Sequence, residues 1–150
     1  MAQTYSNLLL HIIFSTKHRQ PLINTDLKPR LYAYLTRVIN EDFGRVLAIN
    51  GTNDHVHILI DARTTTAPAD MLRVIKSNSS GWVHKTFPEV HDFGWQDGYG
   101  IFTVSSSNKE RVQVYIRNQE EHHRVRTFME EFVDFLERHE IEYDPTTIWD

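Results

Sequence analysis

The sequence predicts an α+β fold, and the order of its hydrophobic patterns carries that prediction. Apolar, β-branched runs typical of strands alternate with segments whose apolar residues recur at helical spacing. In chain order they give strand, helix, strand, strand, helix, strand, and then further helices. This is the split βαβ order of a ferredoxin-like βαββαβ domain, so we expect an antiparallel sheet with helices on one face, plus C-terminal helices.

Four strands are predicted from apolar and β-branched runs, at residues 5–15, 45–50, 55–61 and 99–105. Residues 51–54 are Gly-Thr-Asn-Asp, a composition that suits a hairpin turn between the second and third strands. Pairing within that hairpin fixes the register, and therefore decides which side chains of the third strand share a face.

Four helices are predicted, beginning near Thr25, Asp70, Lys109 and Phe128. Thr25 is the expected N-cap of the first helix. Ser107 to Glu110 has the S-x-x-E pattern of a capping box, which predicts the start of the third helix and its extension to about residue 123. Within the second helix, residues 77–81 are weak helix formers.

Composition indicates one domain of ordinary globular character. The chain has 150 residues, 40% apolar and 24% charged, which is enough for a self-sufficient core. It has no cysteine, which excludes disulfides and thiolate metal sites and fits a reducing cytoplasm. Residues 1–5 lack the basic start and apolar core of a signal peptide, and no apolar run approaches the ~18 residues of a membrane span.

The net charge of −4 is unevenly distributed along the chain. Residues 127–150 carry eight acidic residues and one basic residue, a net of −7, which leaves +3 for residues 1–126. We therefore interpret residues 1–150 as a single domain that ends in an acidic helical extension over residues 127–150. Because the rest of the chain is basic, the overall charge does not argue against a polyanionic partner.

The third predicted strand carries His55-Val56-His57. Residues two apart on a strand point to the same face, about 6.6 Å apart at ~3.3 Å per residue, so both imidazoles project from one side. Two neutral imidazoles suit a divalent transition metal. The spacing alone is a weak signal, because two polar residues on a wetted strand face would look the same.

The third predicted helix carries Tyr115 and Gln119, four residues apart and therefore on one helix face. If that face packs against His55 and His57, two imidazoles, an amide oxygen and a phenol meet. Three protein ligands would leave coordination positions open for a phosphate oxygen. A phenol with a pKa of ~10 is a weak nucleophile, so it needs a base or a metal-polarised phosphorus. Taken singly, such a Tyr is more often core and such a Gln more often solvated.

Together these segments resemble the single-tyrosine HUH transposases of bacterial insertion sequences, including the REP-associated tyrosine transposases. The resemblance covers nearly the whole chain. It rests on the segments HIIFSTKHRQP, HVHILID, IKSNSSGWV, WQDGYGIFTVS and YIRNQEEHH, of which the last, following W-Q-D-G-Y, is the most specific.

The resemblance implies metal-dependent cleavage and rejoining of single-stranded DNA during transposition. Tyr115 would be the nucleophile that keeps the 5′-phosphate and releases a 3′-OH. His55, His57 and Gln119 would be ligands of Mg²⁺ or Mn²⁺. The resemblance further implies a homodimer that recognises hairpin ends, in the nucleoid of a bacterial cytoplasm.

Several basic residues are candidates for DNA contacts, since phosphates attract Lys and Arg. They are Lys17, Arg19, Arg73, Lys76, Lys109, Arg111, Arg117, Arg124 and Arg126, with His18 placed for base stacking.

Two other functions remain open on the sequence. The chain could be a domesticated, sequence-specific hairpin-binding protein that no longer mobilises an element. It could also be a small metallohydrolase or a ligand-binding ferredoxin-like domain, although that interpretation gives Tyr115 no role.

Overall fold

The computed structural model describes residues 2–150. Its four strands are β1 (Leu9–Ser15), β2 (Gly44–Gly51), β3 (His55–Ala62) and β4 (Gly100–Thr103). They form one antiparallel sheet in the order β2-β3-β1-β4. Together with the helices between them, this order confirms the predicted α+β, βαββαβ fold.

The helices are α1 (Leu27–Asp42), α2 (Pro68–Thr86), α3 (Lys109–Arg117), α4 (Gln119–His122) and α5 (Phe128–Arg138). Short 3-10 turns occupy Lys17–Arg19 and Ser106–Asn108. Within residues 2–150, no helix has both the length and the apolar character needed to cross a bilayer.

Side chains alternate between the two faces of a strand, so each face of the sheet presents its own set of residues. Different helices cover the two faces. On the first face, Ile12, Phe14 and Ile58 pack with the apolar residues of α1 and α2 in the main core. On the second face lie His55 and His57, and the C-terminal helices cover that face.

The second face is covered from two sides. Ile116 of α3 packs on Ala48 and Leu59 of strands β2 and β3. On the β1–β4 side, the apolar residues of α5 pack on the sheet; this cluster comprises Ile13, Phe102, Phe128, Phe132 and Leu136. The histidines of β3 lie between these two apolar clusters, so both α3–α4 and α5 reach them.

The helix starts differ from the sequence prediction. Helix α1 begins at Leu27, and its N-cap position is Asp26 rather than the predicted Thr25. The Asp26 side chain makes no cap bond, whereas Asn24 Oδ1 accepts a hydrogen bond from the Leu27 backbone N–H at 2.8 Å. The capping box predicted at Ser107 is wrong, since Ser107 lies in a 3-10 turn and makes no cap bond to α3. A capping box does form at the start of α5, between Thr127 and Glu130.

The helix predicted over residues 109–123 is interrupted at Asn118. There the backbone leaves helical geometry, with φ −96° and ψ 22°, and α3 ends one residue before α4 begins. Asn has a low helix propensity, which favours such a break. In contrast, the weak helix-forming segment 77–81 is helical throughout, inside α2.

Candidate functional site

Strand β3 presents both predicted histidines to one buried site. His55 and His57 are fully buried, and their ring centroids lie 5.2 Å apart. The Nδ1 atom of His55 lies 2.7 Å from Asp54 Oδ1 and 3.0 Å from Thr52 Oγ1. These partners hold one ring nitrogen of His55, so its Nε2 is directed into the site, as is typical of metal-binding histidines.

Helix α4 brings Gln119 to the same site. This side chain is fully buried, and its Oε1 lies 3.1 Å from His55 Nε2 and 3.1 Å from His123 Nε2. The break at Asn118 does not separate Gln119 from Tyr115, since Gln119 Nε2 still reaches the Tyr115 carbonyl oxygen at 3.5 Å. The structure therefore brings all four residues of the predicted site together within one chain.

Helix α5 adds a carboxylate, Glu131, which is 1% exposed. Its Oε1 lies 2.8 Å from His57 Nε2, 3.3 Å from His123 Nε2 and 3.6 Å from His55 Nε2. Its Oε2 accepts hydrogen bonds from the Tyr115 hydroxyl and from Gln119 Nε2. One carboxylate thus joins the imidazoles to the phenol.

The donor atoms fit a metal ion. One ligand atom each from His55, His57, His123 and Glu131 lies within 4.8 Å of the others. Bonds of ~2.1 Å separate neighbouring ligand atoms by about 3.0 Å in an octahedron and about 3.4 Å in a tetrahedron. The distances from Glu131 Oε1 to the three imidazole Nε2 atoms, 2.8, 3.3 and 3.6 Å, are close to these values. Imidazole nitrogens suit transition metals, whereas Mg²⁺ prefers oxygen ligands.

The electrostatics leave these groups in ligand-competent states. Burial lowers the pKa of His57 to about 4, although the hydrogen bond with Glu131 opposes this shift, so His57 is neutral at pH 7. Burial alone would raise the pKa of Glu131, but hydrogen bonds from His123 and His57 outweigh burial and hold it well below its usual value. A neutral imidazole and an ionised carboxylate are the forms that bind metals.

Tyr115 is the half-buried member of the site. Its ring stacks on His122 with centroids 4.5 Å apart, and it borders a cleft of about 370 Å³ that Arg111 and Arg138 also line. Burial raises the pKa of the Tyr115 phenol, and the negative charge of Glu131 raises it further. The hydroxyl is therefore protonated at neutral pH.

Comparisons with known proteins identify the family of this chain. A sequence profile of the family described as "Transposase IS200 like" matches residues 4–119. The chain belongs to the IS200-like transposase family. The ISDra2 transposase TnpA of Deinococcus radiodurans is 25% identical over 114 residues, which span 73% of this chain and 81% of that protein.

Two solved structures share the fold of this transposase-family chain. One is a protein from Deinococcus radiodurans R1 described as a transposase, with a TM-score of 0.62 at 23% identity, covering 79% of this chain and 96% of the other. The second is a REP-associated tyrosine transposase bound to a REP hairpin, with a TM-score of 0.59 at 15% identity, covering 82% of this chain and 73% of the other.

The sequence interpretation missed three residues of the site: His11, His123 and Glu131. His11 is buried on β1, with its Nε2 2.8 Å from His57 Nδ1, so it orients the His57 ring. A histidine within an apolar strand was the available signal for His11. His123 lies four residues after Gln119, a helical spacing that could have indicated it. No sequence signal separates Glu131 from the other acidic residues of the extension.

The predicted DNA contacts fall into separate groups. Lys17, Arg73 and Lys76 line one groove of about 600 Å³ beside α2. In that groove, Lys76 Nζ donates to the carbonyl oxygens of Asp97 at 2.9 Å and Gly98 at 2.8 Å, and burial lowers the Lys76 pKa to about 8. Lys76 therefore supports the loop, whereas Lys17 and Arg73 are the groove's candidates for phosphate contacts.

The remaining basic candidates lie elsewhere. Lys109, Arg111 and Arg117 are exposed on α3, and of these Arg111 lines the Tyr115 cleft. His18 and Arg19 adopt positive φ values of 55° and 56° in the first 3-10 turn. Arg124 pairs with Glu121 at 3.1 Å, Arg126 pairs with Asp134 at 3.5 Å, and the Arg19 guanidinium lies 5.1 Å from the centre of the Trp149 ring.

Proposed function

We propose that this chain is a metal-dependent endonuclease and strand transferase of single-stranded DNA, with Tyr115 as its nucleophile. One observation carries the proposal: the Tyr115 hydroxyl lies in the same chain and the same site as His55, His57 and Gln119. A phenol beside a metal-competent donor set is what tyrosine-based phosphodiester cleavage requires. A protein–DNA adduct that resists denaturation would test the proposal directly.

His55, His57 and Gln119 would hold the metal ion, which when bound polarises the scissile phosphate. The Tyr115 oxygen attacks phosphorus and forms a new P–O bond, while the P–O3′ bond breaks. The products are a 5′-phosphotyrosine and a free 3′-OH. The phenol loses one proton and the leaving 3′-oxygen gains one, and Glu131 Oε2, which accepts the phenol hydrogen bond, is the nearest acceptor.

Rejoining is the reverse reaction. A 3′-OH attacks the phosphotyrosine, re-forms the phosphodiester and returns the hydroxyl to Tyr115. Because the energy of the phosphodiester is kept in the protein–DNA bond, the cycle needs no ATP. The cleft lined by Arg111 and Arg138 is the path by which a strand would reach Tyr115.

The substrate we infer is single-stranded DNA with hairpin ends, on the bacterial chromosome. The support is family membership, together with a solved relative that is bound to a REP hairpin. We also infer that residues 127–150 belong to the same domain as the rest, because α5 packs on the sheet. The alternative, a domesticated binding protein, is not favoured, since it gives no reason for an assembled Tyr115 site.

DNA binding is expected to weaken steeply with salt and to favour single strands or hairpins over plain duplex. A plot of log K against log salt concentration has a negative slope. Each lost phosphate contact should make that slope shallower by roughly 0.7 for single strands. We expect this reduction in Arg73→Gln and Arg111→Gln, but not in Lys85→Gln, an exposed control at the end of α2. Fluorescence anisotropy with palindromes that flank the gene would measure it, and equal affinity for perfect duplex would contradict the single-strand preference.

We propose a homodimer, as the resemblance implies. Exposed apolar side chains such as Val114 on α3, 51% exposed, and Val125, 85% exposed, are available for such an interface. Light scattering at micromolar concentration is expected to give twice the chain mass. A single-chain mass would remove the dimer but not the active site, because this chain contains both Tyr115 and the histidines.

A further inference from the structure

We propose that α5 completes the metal centre, with Glu131 as a ligand alongside His55, His57 and Gln119. This inference rests on the proposed function and deepens it, because it assigns a metal ligand to the C-terminal extension. The family match ends at residue 119, so Glu131 lies outside the matched segment.

The burial of Glu131 is the first argument. An ionised carboxylate is costly to bury unless strong partners surround it. The other acidic residues of α5 avoid this cost: Glu130 and Glu137 are exposed, and Asp134 pairs with Arg138 at 2.9 Å. Glu131 alone among them turns inward, with no Lys or Arg among its hydrogen-bond and ion-pair partners in residues 2–150.

The anchoring of α5 is the second argument. A capping box at Thr127 and Glu130 fixes the start of the helix immediately before Glu131. Phe128 and Phe132, on either side of Glu131, are buried in the apolar cluster on β1 and β4. The capping box and the two buried phenylalanines hold this part of α5 in place. The Glu131 carboxylate is therefore held in a fixed position, as a metal ligand requires.

The distances are the third argument. Glu131 Oε1 lies 2.8 to 3.6 Å from the Nε2 atoms of all three imidazoles, the spacing of ligand atoms around one ion. His123 is the fifth ligand of the proposed centre, so the donors are three imidazole nitrogens, from His55, His57 and His123, and two oxygens, from Gln119 and Glu131. In an octahedral site, five protein donors leave one position for a phosphate oxygen. The carboxylate also joins the metal centre to the nucleophile, since its Oε2 accepts the Tyr115 hydrogen bond.

The test is calorimetric titration of the full chain with Mn²⁺, comparing wild type, Glu131→Gln and Glu137→Gln. Glutamine keeps the shape of the side chain and removes its charge. Loss of an outer-shell partner typically lowers metal affinity by ~10–100-fold, and we expect at least that loss in Glu131→Gln. Glu137→Gln makes the same chemical change at an exposed position of the same helix and should bind Mn²⁺ like wild type.

Unchanged or tighter Mn²⁺ binding by a folded Glu131→Gln variant would overturn the proposal. Glu131 would then occupy space beside the histidines without binding the metal ion. If that variant does not fold, the infrared difference spectrum of wild type with one equivalent of Mn²⁺ decides the matter. A shifted carboxylate band, retained in Glu131→Asp, supports ligation, and the absence of any shift overturns it. Failure here leaves the proposed function standing, because a Tyr115–DNA adduct is measured independently.

Discussion

Tyr115→Phe is expected to abolish covalent attachment of DNA while leaving fold and DNA binding intact. The substitution removes only the hydroxyl, so the ring keeps its stacking on His122, with centroids 4.5 Å apart, and its edge contact with Phe135, at 5.8 Å. Glu131 loses one hydrogen bond but keeps the one from Gln119 Nε2 at 3.3 Å. We expect the free energy of unfolding to fall by about 1 kcal/mol, the cost of one lost hydrogen bond. The nucleophile, in contrast, is lost completely.

The measurement uses 3′-labelled single-stranded DNA that carries an end hairpin, incubated with Mn²⁺ or Mg²⁺ and run on a denaturing gel. Tyrosine attack retains the 5′-phosphate, so the labelled fragment migrates with the protein. The control is Tyr5→Phe, which makes the same change on a side chain that is 85% exposed and outside the site. Cleavage that persists in Tyr115→Phe, with no adduct in wild type, would establish a metal-bound water as the nucleophile instead.

Local periodicity accounts for the part of the site that was predictable from sequence. The two-residue repeat of a strand places His55 and His57 on one face, and the four-residue helix spacing does the same for Tyr115 and Gln119. Periodicity does not determine which elements pack against each other. The expectation that the Tyr115 helix packs on the His55-Val56-His57 strand came from the resemblance to a known family.

Residues brought in by long-range packing were not predictable in the same way. Glu131 reaches the site because Phe128 and Phe132 dock α5 on strands β1 and β4, and nothing in an acidic helix indicates which carboxylate turns inward. His11 reaches His57 because β1 lies beside β3 in the sheet, which is a matter of strand order. The cap predictions at Thr25 and Ser107 failed for a related reason. The backbone conformation just before each helix depends on the tertiary fold, and the local sequence does not determine it.

The metal centre and the nucleophile should be separable by a second substitution, His55→Ala. This imidazole is fully buried, with Nε2 3.1 Å from Gln119 Oε1, so its removal deletes a ligand and leaves a cavity beside the remaining donors. We expect adduct formation to fall below detection although Tyr115 is intact, and Mn²⁺ affinity to fall by more than roughly tenfold. A chelator should have the same effect on wild-type activity.

The two substitutions then give opposite patterns in one pair of assays. Tyr115→Phe should lose the adduct and bind Mn²⁺ like wild type, whereas His55→Ala should lose both. His91→Ala, at an exposed position outside the metal centre, is the control for removing an imidazole and should keep Mn²⁺ affinity. Circular dichroism establishes that His55→Ala is folded before its affinity is interpreted. If a folded His55→Ala protein bound Mn²⁺ as tightly as wild type and still formed the adduct, the metal role of the His55-Val56-His57 strand would be wrong, even with Tyr115 as the nucleophile.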